Sequence, residues 1–224
     1  MHYALGDDGV AALTMDDGKV NALSRGMIGE LREAFDKAAA DGAAVLLTGR
    51  ATVFSGGFDL ATLRGGDAGE ARAMVREGFE LAERVLSHPR PVVAASAGHG
   101  IAMGLFLLLS ADLRIGSTAP ARYAANEVAI GLRVPTTALA ILRYRLTPSA
   151  ADRAAVTAAV FDPQQAVAAG ILHEVVEPDA LLGTARGWAA AAASGLHAES
   201  HADTKLQARA GVLAELRAGL AELG

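Results

Sequence analysis

The chain has 224 residues, no cysteine, and 20 Lys plus Arg against 25 Asp plus Glu, a formal charge of −5 with neutral histidine. That length buries a substantial core without staples, and the lack of thiols rules out a disulfide framework, a thiolate nucleophile and any Cys-ligated zinc or iron–sulfur site. An acidic balance with no Lys/Arg block argues against a nucleic-acid groove or an anionic membrane surface, both of which need concentrated positive charge, and favours a small-molecule ligand.

The first ten residues, MHYALGDDGV, lack the basic and apolar regions of a secretory signal, so a cytoplasmic location is the expectation. Short apolar runs bounded by Gly, Asp or Pro follow at 10–15 (VAALTM), 43–49 (AAVLLTG), 91–96 (PVVAAS) and 112–117 (DLRIGS). Each has the length of a strand. Between them, Met27, Leu31, Ala34, Phe35 and Ala38, then Met74, Val75, Phe79, Ala82, Val85 and Leu86, recur at helical spacing with one apolar stripe each. Ser24 is placed to cap the first of these helices, and Gly42 follows its end. Alternation of strand and helix predicts an α/β fold with mostly parallel pairing.

Beyond residue 135 the segments are nearly all helix formers, interrupted by one strand candidate, ILHEVV at 171–176. The last helix carries Leu206, Ala210, Leu213, Leu216 and Leu220 at intervals of three and four, a stripe that needs either the protein's own core or another subunit. Trp188 and the alanine run after it read as packing.

The stretch GHGIAMGLFLLLSADLR, 98–114, is the least ordinary part of the chain. From Pro91 to Ala111 its only ionisable side chain is His99, yet Pro91, Gly98, Gly100 and Gly104 interrupt any spanning helix and the unbroken apolar part, Leu105 to Leu109, is five residues against the ~20 a span requires. A buried strand at 91–96, a turn at 97–100 and a short helix at 103–110 fit better. Glycines G-x-G-x-x-x-G do not match a dinucleotide fingerprint, and Ser96 in AASAG lacks the first glycine of a nucleophile elbow. A third use of such a turn is an oxyanion hole made of backbone N–H groups, which needs a second donor from another glycine-rich strand exit. RATVFSGGFDL, 50–60, supplies one. His197 and His201 stand i, i+4 with Asp203 nearby, but no third ligand of defined spacing accompanies them, and no metal is expected.

With these pieces in place the chain resembles the crotonase family, the enoyl-CoA hydratase/isomerase superfamily. The resemblance is carried by NALSRGMIGEL (21–31), AVLLTG followed by VFSGGFDL (53–60), RPVVAASAGHGIAMG (90–104), SADLRI (110–115), NEVAIGL (126–132) and QQAVAAGILHEVVEPDAL (164–181). It implies a crotonase-like spiral of ββα turns over 1–160, a C-terminal helical region over 161–224 used for assembly into a homotrimer or hexamer, and an acyl-CoA thioester as ligand, with no cofactor beyond the CoA of the substrate.

By motif position the resemblance assigns the N–H of Phe58 and the N–H of Met103 to the thioester oxygen, and Glu127 to proton transfer. It places Ala22, Leu23, Ser55, Gly57, Asp59, Leu60, Gly104 and Phe106 around the substrate, and gives Asp112 a structural character. Lys19 is offset by one from the usual basic position, and Ala61 stands where a lysine is often found. Hydratases of the family carry two glutamates; here the first position is Phe106, and two glycines of the preceding run are Ala102 and Met103. One remaining carboxylate suits movement of a double bond from C3 to C2 better than addition of water. Enoyl-CoA isomerisation is therefore the favoured expectation, with hydration, a catalytically silent acyl-CoA-binding subunit, or a serine hydrolase using Ser96 as alternatives.

Overall fold

The computed structural model describes residues 1–223. Its first strands are β1 (His2–Leu5) and β2 (Val10–Thr14), an antiparallel hairpin, followed by β3 (Ala22–Leu23) and the helix α1 (Arg25–Ala40). Ser24 caps α1 by accepting from the Met27 N–H, and Met27, Leu31, Ala34, Phe35 and Ala38 face inward as the spacing requires. β4 (Ala44–Thr48), β5 (Val53–Ser55), β6 (Gly57–Phe58), α2 (Leu60–Arg64) and α3 (Ala68–Ser87) come next. Then follow β7 (Val92–Ser96), β8 (His99–Ile101), α4 (Met103–Ser110), β9 (Leu113–Ser117) and β10 (Tyr123–Ala124).

Each turn of the chain gives one strand to a large sheet and one to a small inner sheet before a helix returns it. The six-stranded sheet runs β1-β2-β4-β7-β9-β11, with every pairing after the hairpin parallel; β11 is Glu174–Val176. The inner sheets are β10-β8-β5 and β3-β6. Central parallel strands are buried on both faces, which is why AVLLT and VVAAS are apolar throughout rather than alternating.

The remaining helices are α5 (Thr136–Arg145), α6 (Pro148–Thr157), α7 (Pro163–Ala169), α8 (Leu181–Gly195), α9 (Ala198–Ala208) and α10 (Ala210–Glu222). α8 covers one face of the large sheet, Leu181, Ala185 and Ala189 packing on Val10, Leu46, Val93 and Ile115. α1, α3 and α4 fill the other.

Two expectations are corrected. Residues 97–100 are not all turn: His99 and Gly100 continue into β8, because Gly100 N–H donates to Arg122 C=O and the segment pairs with β5 and β10. The last helix is two helices, broken at Arg209, so Leu206 is 43% exposed and only Leu213, Leu216 and Leu220 of the stripe enter the core. What α9 buries instead is charge. Lys205 and Arg209 both donate to Asp112, each also bonding a main-chain carbonyl, of Arg90 and Leu86 respectively. Asp112 thus fastens the C-terminal helices to the strand exits, the structural character the resemblance assigned to it. Among the described residues no helix is long and apolar enough to cross a membrane; the apolar run at 103–110 is the buried α4.

Candidate active site

Two bends meet at the N-terminus of α4. Gly57, at φ +92°, lies so close to the other bend that an added Cβ would stand 2.9 Å from Ile101 O and 3.4 Å from Met103 N. Gly104 packs onto β5, where a Cβ would fall 2.7 Å from Ser55 Cβ. Only glycine permits both approaches. Ala102 turns the chain into α4 with φ 49°, a left-handed conformation a glycine would adopt at lower cost.

The amide directions follow from local bonding. Asp59 N–H donates to Leu23 C=O, and Phe58 stands opposite Leu23 in the β3–β6 register, so the Phe58 N–H points away from β3. In α4 the first intrahelical bond is Phe106 N–H to Ala102 C=O; the Met103 N–H precedes it and has no partner among the described residues. Bracing is extensive. Ser55 Oγ donates to Asn21 C=O and accepts from Gly57 N–H, while Asn21, itself fully buried, donates to Val53 and Phe54 carbonyls.

Beside these bends lies a cavity of about 370 Å³. Its floor is aromatic: Phe58 meets Phe79 edge-on with ring centroids 6.4 Å apart, and Phe79 stacks on Phe106 at 5.9 Å. Leu60, Leu63, Val75, Ile130, Leu132 and Pro135 continue the apolar lining. Glu127 is the one carboxylate that reaches it among the described residues. Its side chain is buried, its Oε2 has no hydrogen-bond partner, and neighbouring Asn126 Oδ1 is equally unpartnered. Burial pushes the Glu127 carboxyl above the usual carboxylate range; its own backbone N–H opposes the shift, and no cation assists. Chemically, this is a dry pocket with one basic oxygen and two main-chain donors at its edge.

The structure brings together Phe58, Leu60, Phe106 and Glu127 of the expected site, with the Met103 amide beside Gly57. Others lie elsewhere. Leu23, Ser55, Met103 and Gly104 are buried in the packing, so their side chains or Cα atoms brace the bends rather than line the cavity. Ala22 is half-buried outside it. Asp59 caps α2, its carboxylate accepting from Thr62 N–H and Oγ1 and from Ala61 N–H, which hold it below the usual range. Ser96 is no elbow: buried on β7, its hydroxyl donates to Gly98 C=O and accepts from Tyr123 OH. His197 caps α9 through Nδ1. Val75 and Phe79 were legible only as a helix stripe and Asn126 only as the first residue of NEVAIGL, while Arg64 and Arg133, on the same cavity, carried no pattern at all.

A family model described as enoyl-CoA hydratase/isomerase matches residues 6–218. The chain belongs to that family. Probable enoyl-CoA hydratase EchA17 of Mycobacterium avium is 37% identical over 188 residues, 82% of this chain and 72% of that protein. The crystal structure of probable enoyl-CoA hydratase EchA3 of Mycobacterium tuberculosis H37Rv superposes with a TM-score of 0.95 at 44% identity, covering 99% of this chain and 93% of that one. An apo structure of the same Mtb protein, there called an enoyl-CoA isomerase, gives 0.94 at 44% identity, covering 99% and 96%. The mixed α/β architecture with its helical C-terminal region is therefore the crotonase fold, and the chain is an enzyme of the enoyl-CoA hydratase/isomerase family.

Proposed function

We propose that the protein moves the double bond of a 3-enoyl-CoA into conjugation, with Glu127 as the only base. The observation that carries this reading is the unpartnered Glu127 carboxyl facing an apolar cavity in which Phe106, stacked on Phe79, occupies the place of a second carboxylate. Glu127 takes a proton from C2; the C2–H bond breaks, and the electron pair delocalises onto the thioester oxygen as a dienolate. The Phe58 and Met103 N–H groups donate to that oxygen, each such donor being worth ~10²–10³ in rate. The carboxylic acid now on Glu127 returns the proton to C4, a C2=C3 bond forms, and the carbonyl is restored. A raised pKa suits a group that must both accept and release a proton near neutrality.

The Mycobacterium tuberculosis protein that is 44% identical is named both a probable enoyl-CoA hydratase and an enoyl-CoA isomerase, a likeness that supports the family's chemistry without choosing between isomerisation and hydration. Hydration is the second reading, favoured by Asn126 Oδ1 and Glu127 Oε2, two adjacent acceptors that could hold a water. Substrate binding by Leu60 and Phe106 on the cavity wall, with Gly57 and Gly104 shaping the bends beside it, an assembly of three or six copies through residues 161–224, and a need for no cofactor beyond the CoA of the substrate belong to the same proposal. The test is to supply trans-3-enoyl-CoA and trans-2-enoyl-CoA separately and follow conjugation and 3-hydroxyacyl-CoA formation. Conversion of the first without hydration of the second is the expected result; hydration as the faster reaction would overturn it.

A further inference from the structure

The acyl cavity is apolar except at Asn126, Glu127 and two guanidinium groups, Arg64 and Arg133. These two come from different elements, Arg64 being the last residue of α2 and Arg133 lying in the loop ahead of α5. Both are exposed at the rim, and neither forms an ion pair or hydrogen bond among the described residues. Among the described residues Arg72, Arg122, Arg143 and Arg153 likewise hold no carboxylate; what sets Arg64 and Arg133 apart is that both line the cavity.

Their position relative to the chemistry is informative. Arg64 lies one helical turn beyond Leu60, about 6 Å along the axis and away from the Phe58 bend. Neither guanidinium contributes to the Glu127 carboxyl, whose shift is set by burial and a backbone N–H alone. Of the residues that the family resemblance sets along the CoA, Ala22, Leu23, Ser55 and Asp59 do not line this cavity and Leu60 does; with Phe58, Phe106 and Glu127 also on its walls, the cavity is where the reacting end of the acyl group would lie.

We propose that the acyl group accepted here ends in an anion, a terminal carboxylate that bridges Arg64 and Arg133 at the cavity rim while the double bond lies over Phe106. A forked guanidinium on either side matches a carboxylate in a way that a methyl end cannot use. This inference rests on the acyl-CoA reading above. It requires only that acyl-CoA binds, whichever reaction follows.

The test is equilibrium binding of adipoyl-CoA, hexanoyl-CoA and free CoA to the full chain and to its Arg64→Gln/Arg133→Gln double variant, with circular dichroism to verify folding. Expected is about tenfold tighter binding of adipoyl-CoA than of hexanoyl-CoA, a preference that collapses towards one in the double variant. Equal affinities in the parent protein would overturn the proposal. So would an equal loss for all three ligands in the variant, because that outcome puts the guanidiniums on CoA phosphates. Failure of every ligand to bind would instead remove the acyl-CoA reading itself, and this inference with it.

Discussion

Gly57 and Met103, 46 positions apart in sequence, are held so close that no side chain fits between them: a Cβ on Gly57 would sit 3.4 Å from Met103 N and 2.9 Å from Ile101 O. Gly57→Ala would also force alanine to φ +92°, so the bend must shift and the two amides separate. A misplacement of about 1 Å at a reacting centre costs on the order of 10²-fold. The expected outcome is a kcat lower by about that factor with a smaller change in KM; an unchanged kcat in a folded variant would show that the paired amides do not act on the reacting oxygen.

Glu127→Gln separates function from stability in opposite directions. On the proposed reaction, loss of the Glu127 carboxylate should lower kcat by about 10²–10⁴. Stability should rise. Because the folded-state pKa is raised, the native protein holds more protons than the unfolded chain between the unfolded value and the folded one, so stability falls as pH rises through that window. Glutamine carries no charge to desolvate, and the melting temperature near neutral pH is expected to increase by about 2–4 °C.

The same raised pKa sets the acidic limb of the rate profile. A base must be deprotonated to start the reaction, so kcat/KM should fall on acidification with a midpoint above the usual glutamate value of 4.5. Measurement of kcat/KM from acid to neutral pH checks this. A limb at or below 4.5 would mean that the group in the free enzyme is solvated, contrary to its burial.

How much of this was legible beforehand depends on the scale of each signal. Parallel strands buried on both faces leave continuous apolar runs, so β2, β4, β7 and β9 stood out, as did α1 with its serine cap and α4 with its apolar run Leu105 to Leu109. Strands of two or three residues such as β3, β6, β8 and β10 are too short to show a period, and exposed β1 has no buried face to reveal it. The break between α9 and α10 was hidden because nothing in the sequence pattern marks Lys205 and Arg209 as buried, whereas their charges are buried on Asp112. At the site, Phe58, Met103 and Glu127 were reachable through motif position. The cavity rim was not, since Arg64 at the end of α2 and Arg133 in the loop ahead of α5 are joined only by the fold.

Phe106 is almost fully buried and stacked on Phe79, so its ring contributes to the core as well as to the pocket. Phe106→Ala should destabilise the protein by about 3–5 kcal/mol, the range for a large aromatic truncated in a packed interior. It also opens the floor of the cavity to water. In the folded fraction, 3-hydroxyacyl-CoA should become detectable from trans-2-enoyl-CoA relative to the parent protein, and its absence at equal protein concentration would show that the ring does not govern access of water.

Asp112 provides the sharpest test of how the C-terminal helices are held. Burial alone would raise its carboxyl, yet Lys205 and Arg209, with the Val92 N–H, hold it below the usual range. The surroundings are strongly cationic: burial pushes Lys205 down to about 8, Arg114 to about 9 and Arg145 to about 10, and these groups repel one another around the single carboxylate. Asp112→Asn keeps the shape and removes the only negative charge, leaving buried cations uncompensated, a change that costs about 3–5 kcal/mol when one partner of a buried pair is lost. Urea unfolding should show that loss. Limited proteolysis should cut first within α9 or α10, which Asp112 ties to β7 and β9; cleavage elsewhere, or unchanged stability, would mean that the carbonyls of Leu86 and Arg90 suffice to hold Arg209 and Lys205 in place.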